Sequence, residues 1–139
     1  MRGKFAALIL IMLLVACSRS GTPGPDDIYF GDDSKWYRDD KPIQGVIKSR
    51  FKNGNISQEA SFKDGVEDGT WVWYYTNGQK QSEINYQNGV KQGLETHYYD
   101  TGLRGWECVW SNGVSVASQY WTAEGKPKFT NDPVRPPLK

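Results

Sequence analysis

Large apolar side chains recur at every second position through much of the chain. Trp71, Trp73 and Tyr75 alternate with other residues on one side of Asn77-Gly78, and Ile84 and Tyr86 do so on the other. A period of two is the strand period, because successive side chains leave opposite faces of a strand. Asn-Gly between two such runs signals a β-hairpin, expected here as a type I′ turn with positive φ at both central residues. With Asn77 and Gly78 as the two turn residues, Trp73 faces Ser82 and Trp71 faces Ile84. One face then carries Trp71, Trp73, Tyr75, Ile84 and Tyr86, and the other Val72, Tyr74, Gln81 and Glu83.

The same pattern returns along the chain. Gly45, Gly69 and Gly93 are spaced by 24 residues, as are Gly54, Gly78 and Gly102, and again Gly65, Gly89 and Gly113. Such a period defines stacked supersecondary units. Three units are expected, over 45–68, 69–92 and 93–116. A degenerate fourth covers 117–129; its turn Ala123-Glu124-Gly125 reads as one residue longer. No sustained helical period follows residue 17, and the repeated glycines would interrupt one. The fold class predicted is all-β, an elongated single-layer antiparallel meander of hairpins spanning 28–129. Continuing the two faces, Tyr99, Trp106, Cys108 and Trp110 join the aromatic one, with Phe51, Ala60 and Phe62 in the first unit. Cys108 falls in a column with Ala60 and Ile84 and reads as a small buried hydrophobe. The face with Lys48, Arg50, Glu59, Tyr74, Tyr98 and Glu107 is expected to be solvated.

Both ends differ from this body. Arg2 and Lys4 precede an apolar run from Phe5 to Ala16, too short to cross a bilayer as a helix. Leu14-Val15-Ala16-Cys17 resembles the lipobox of bacterial lipoproteins. That resemblance implies removal of residues 1–16 and a diacylglycerol thioether on Cys17, hence attachment to a membrane. Ser18, unlike an Asp there, points to the outer membrane, periplasmic side, in a Gram-negative cell. Residues 17–27 read as a flexible tether. Residues 130–139, TNDPVRPPLK, hold three prolines and are expected to be a disordered or extended tail rather than a docking peptide. Loss of Arg2 and Lys4 takes the formal charge from +1 to −1, since two cations and no acid are removed. A near-neutral domain has no electrostatic reason to bind nucleic acid.

Catalytic and metal-binding patterns are weak. His97, the single histidine, shares a column with Ser49 and Trp73 and has no second ligand at metal spacing. Glu59, Glu83 and Glu107 recur once per unit, which suits a structural column pairing with Lys48 and Arg50 across the hairpin. Asp26-Asp27, Asp32-Asp33 and Asp39-Asp40 lack calcium-loop spacing and read as polar turns. No cofactor is expected.

The pattern G-x-W-x-x-Y-Y-x-N-G, then S-E-x-x-Y-x-N-G, resembles the MORN-repeat variant found in many bacterial lipoproteins, some called YwqK-type antitoxins. The resemblance runs from about Trp36 to Gly125, and Trp36–Gly45 looks like the half-repeat that often precedes such arrays. Hairpins stacked in one layer leave broad faces and no deep cleft, which points to a non-catalytic binding or scaffolding role for a protein or envelope partner. The alternatives are an immunity protein neutralising a toxin and, third, an enzyme acting on envelope polymers. The candidate binding face is Trp71, Trp73, Tyr75, His97, Trp106 and Trp110.

Overall fold

A computed structural model of the chain describes residues 28–128; the export signal, Cys17, the tether and the proline-rich tail lie outside the described residues. Among the described residues thirteen strands are formed, β1 Ile28–Phe30, β2 Trp36–Arg38, β3 Lys41–Pro42, β4 Gly45–Arg50, β5 Ile56–Lys63, β6 Val66–Glu67, β7 Gly69–Tyr74, β8 Lys80–Gln87, β9 Val90–Lys91, β10 Gly93–Tyr98, β11 Arg104–Ser111, β12 Val114–Trp121 and β13 Pro127–Lys128. β1–β3 make a small sheet. The rest form one sheet in the order β13-β12-β11-β10-β8-β7-β5-β4, with β6 added to β5 and β9 to β8. Every strand pairs antiparallel with a neighbour in the chain. The molecule is the single-layer hairpin meander that the period predicts.

The period has a physical cause. β6 and β7 together form one strand, broken at Asp68-Gly69, and β9 and β10 repeat this at Gln92-Gly93. Where glycine is lost, at Ala117, β12 runs through unbroken, with a bulge opposite Val109 and Trp110. The breaks are pinned between units. The side chains of Gln44, Asp68 and Gln92 accept the backbone N–H groups of Asp64, Asn88 and Asn112, each in the following turn, at 2.8–3.0 Å.

Two kinds of turn alternate, and their assignment differs from the sequence expectation. Asn77-Gly78 is not a two-residue type I′ turn. The N–H of Tyr75 donates to the Gln79 carbonyl and the N–H of Gly78 to that of Tyr75, so the loop has three residues and only Gly78 has positive φ. This is a type I turn closed by a glycine bulge. The register expected for Trp73↔Ser82 and Trp71↔Ile84 survives, because a second bulge at Gln81 restores it. Gln81 thereby turns to the Trp73 side rather than the opposite one. The type I′ turns lie at the other end of the hairpins, at Asp64-Gly65, Asn88-Gly89 and Asn112-Gly113, where both residues have φ between 49° and 78°. The turn of the fourth unit is also not longer. Thr122 and Gly125 make the same two bonds as Tyr75 and Gly78. The residue missing from the period lies earlier, between Gly113 and Tyr120.

The half-repeat at the N-terminal end is present. Asp39 and Asp40 both have positive φ in the turn between β2 and β3. The N–H of Trp36 donates to the Gly65 carbonyl at 2.7 Å, and Trp36 Nε1 to Glu67 Oε1 at 3.0 Å.

The core is the aromatic face of the first two units. Ile43, Ala60, Phe62, Trp71, Ile84 and Tyr86 are buried, with Ile28, Trp36, Ile47 and Trp73 packed against them. Trp71 is 1% exposed although the sheet has one layer. Phe62, Tyr86 and Trp73 close over it, with ring centroids 5.3–5.7 Å away. The opposite face is less solvated than expected: Val72, Thr96, Glu107 and Gln119 are buried there. Lys48 pairs with Glu59 at 2.7 Å, but Arg50 donates to the Gly54 carbonyl instead. Glu83 takes Lys80, and Glu107 takes Arg104.

Candidate binding face

Cross-strand partners in an antiparallel sheet project to one side, so the pairing register defines two rows across the aromatic face. The inner row runs Ile47, Ala60, then Trp71, Ile84, then Glu95, Cys108, Ser118. It is apolar through Ile84 and polar or small afterwards. The outer row, nearer the three-residue turns, runs Ser49, Gln58, Trp73, Ser82, His97, Trp106, Tyr120, Lys128 without interruption.

The change at Glu95 shapes the site. One unit earlier this position holds Trp71, which fills the core. Glu95 is 3% exposed and sits between Lys91 Nζ and His97 Nε2, each 2.7 Å from one of its oxygens. Burial alone would raise its pKa, but the hydrogen bonds from His97 and Lys91 outweigh it and hold the carboxyl below its ordinary range. The same charge acts on Tyr86. Burial first, and then the negative Glu95 and Glu67, push that phenol up to about 12, so it stays neutral. Lys91 also lies 4.6 Å over the Trp110 ring.

With no large ring in the inner row beyond Ile84, the outer row opens into a trough of about 670 Å³. Its walls are Trp73, Tyr75, Tyr86, Tyr99 and Trp106, with His97 at the centre. The rings are fixed. Tyr75 donates its hydroxyl to the Tyr98 carbonyl at 2.7 Å, and Tyr99 to that of Trp121 at 2.9 Å, each reaching into the next hairpin. His97 packs on Trp106 at 4.9 Å, and Trp106 on Tyr120 at 6.1 Å. Gly105, the bulge residue of the third unit, leaves room for Tyr99; a Cβ there would come within 3.2 Å of that ring.

The sequence-predicted residues therefore separate. Trp73, Tyr75, His97 and Trp106 line the trough together. Trp71 is core and offers no surface, and Trp110 lies outside the trough under Lys91. The indole N–H groups of Trp106 and Trp110 are buried without an acceptor among the described residues. Lys91 and Glu95 were missed by sequence reasoning; the signal was there, a charge breaking the 24-residue column of Ile47 and Trp71. Cys108 is fully buried with its Sγ 3.0 Å from Ser115 Oγ, as its column with Ala60 and Ile84 implied. Among the described residues no group of three His, Cys, Asp or Glu side chains is placed to hold a metal ion.

Fold and face together define a tandem β-hairpin repeat protein. The sequence pattern of the MORN repeat variant matches residues 43–64 and 67–88. The chain is similar to that family over these two stretches, which take in most of β4–β8. The third unit repeats the same turns and pairings. No curated protein matches the chain.

Proposed function

We propose that the protein is a lipid-anchored, non-catalytic binding or scaffolding protein of the cell envelope, and that the trough over β7, β8, β10 and β11 holds its macromolecular partner. The carrying observation is that trough: part-buried tryptophan and tyrosine rings, held rigid by the sheet, around an open concave surface. Trp and Tyr dominate binding hot spots because they bury large area at small entropic cost. Stacked repeats present extended surfaces suited to large partners. The lipobox-like Leu14-Val15-Ala16-Cys17 supports the anchor, with stable attachment needing more than one acyl chain.

Crosslinking in cells, with the wild-type chain beside Trp73→Ala and Tyr98→Ala, tests the site. Trp73→Ala should lose the crosslinked partner while remaining folded by its melting curve, and Tyr98→Ala should keep it. Retention by Trp73→Ala with loss by Tyr98→Ala would move the site to the other face. A toxin as the partner would make the role immunity. Fatty-acid labelling tests the anchor: Cys17→Ser should take up no label, and equal labelling of the two chains would end the lipoprotein reading.

A further inference from the structure

The outer row that forms the trough also leads to the point where the described chain stops. Lys128 of β13 pairs with Tyr120, Tyr120 with Trp106, Trp106 with His97, His97 with Ser82, and Ser82 with Trp73. Residues 129–139 follow, and they carry Pro133, Pro136 and Pro137. We propose that the trough is a docking groove for an extended proline-rich segment, and that its occupant is this chain's own tail, Asp132–Leu138.

Three observations carry this. The first is chemistry. Proline-rich segments bind grooves lined with aromatic side chains, because a polyproline II strand is stiff before it binds and packs its flat rings on theirs. Trp73, Tyr75, Tyr99 and Trp106 supply such rings, and two of them are locked by hydroxyl bonds to neighbouring hairpins. The second is reach. Five interstrand steps of about 4.8 Å separate Lys128 from Trp73, about 24 Å along the row. A polyproline II strand advances about 3.1 Å per residue, which puts Pro133 about 15 Å and Pro137 about 28 Å from Lys128. At full extension the prolines thus reach the trough, Pro133 at about the distance of His97 and Pro136 and Pro137 at or just past that of Trp73. Thr130, Asn131 and Asp132 are of residue types that favour turns. The third is charge. The Lys91 ammonium is balanced in place by the buried Glu95, which also bonds His97. The tail carries Asp132, Arg135 and Lys139, so neither side presents a concentrated charge to the other.

This inference shares the trough with the proposed function but needs no external partner, so it can fail while that reading stands. The test uses the full chain with nitrogen-15 in its six tryptophans. Each indole N–H gives one resonance, assigned by single Trp→Phe variants. Replacing Pro133, Pro136 and Pro137 together by alanine should move the signals of Trp73 and Trp106 and leave those of Trp36 and Trp71 in place. Adding the peptide TNDPVRPPLK in excess should return them towards their wild-type positions. Unchanged Trp73 and Trp106 signals in the triple variant would overturn the proposal, as would a peptide that restores nothing. Shifts that depend on protein concentration would mean a second copy occupies the groove and would equally overturn it. So would wild-type signals that ignore the tail but move with soluble fragments of envelope glycan.

Discussion

Glu95 shows how one residue redirects a repeat. At its position in the second unit Trp71 closes a core; in the third, the carboxylate organises Lys91 and His97 and leaves space above them. Its pKa is depressed in the folded state, so the stability it confers is present above the ordinary carboxyl range. That stability is lost as pH falls through the lowered value. Glu95→Gln should therefore cost about 1–2 kcal/mol at neutral pH, because bonds to a charged acceptor become neutral ones while both donors keep access to water. The difference should close as pH falls through the lowered value, where wild-type Glu95 also protonates. Urea midpoints of the two chains across this range measure it; a gap that widens in acid would contradict the assignment. The paired tryptophans separate core from surface in the same way. Trp71→Ala should lose about 3–5 kcal/mol, the range for a fully buried large side chain. Trp73→Ala, part-exposed in the trough wall, should lose clearly less. Melting curves that reverse this order would put the core in the wrong row.

Among the elements, the two turn types set the length of the repeat. Asn77-Gly78 identified the hairpin from sequence, but the dipeptide alone does not reveal how many residues the loop holds. That number is decided by the Tyr75–Gln79 pairing and the bulge at Gln81, both consequences of how the flanking strands meet. The two glycine classes should respond differently to a methyl group. At Gly78, φ is +87° and nothing lies within 4 Å, so Gly78→Ala meets only the left-handed backbone penalty of about 1 kcal/mol. At Gly65, φ is +78° and a Cβ would lie 2.8 Å from the Trp36 carbonyl oxygen, which belongs to the capping half-repeat. Gly65→Ala should cost at least about 1 kcal/mol more, because backbone must move as well. Denaturant midpoints would show it, and equal losses at the two sites would mean that the cap yields freely.

Across the whole molecule, stability should be uneven. The apolar inner row ends at Ile84, and the core cluster lies in the cap and the first two units. In stacked repeats, stability is roughly a sum over units and interfaces. Amide hydrogen exchange should accordingly be slowest in β5, β7 and β8 and faster in β10, β11 and β12, where Glu95, Cys108 and Ser118 replace large side chains. Uniform protection would argue for a single cooperative body. Removing Gly69–Gln92 keeps the strand alternation and should leave a folded chain of lower melting temperature. It brings Phe62 next to Glu95 where Trp71 had been. Removing Gly69–Lys80 deletes one strand and reverses the direction of the rest, and should prevent folding. Equal solubility and melting of the two deletions would count against the hairpin array.

The sequence by itself determined the architecture, because the 24-residue glycine period and the two-residue alternation are local properties of backbone sterics and side-chain direction. It also determined the Trp73–Ser82 and Trp71–Ile84 pairs and the burial of Cys108. Which aromatic residues form core and which form surface was not legible locally. Trp71 and Trp73 are equivalent by alternation, and only the closing of Phe62 and Tyr86 over Trp71 distinguishes them. The trough likewise depends on Glu95 meeting Lys91 and His97 across a kinked strand, and on tyrosine hydroxyls reaching backbone in the next hairpin. Those are contacts between units, and a period read along one chain does not contain the curvature that brings them together.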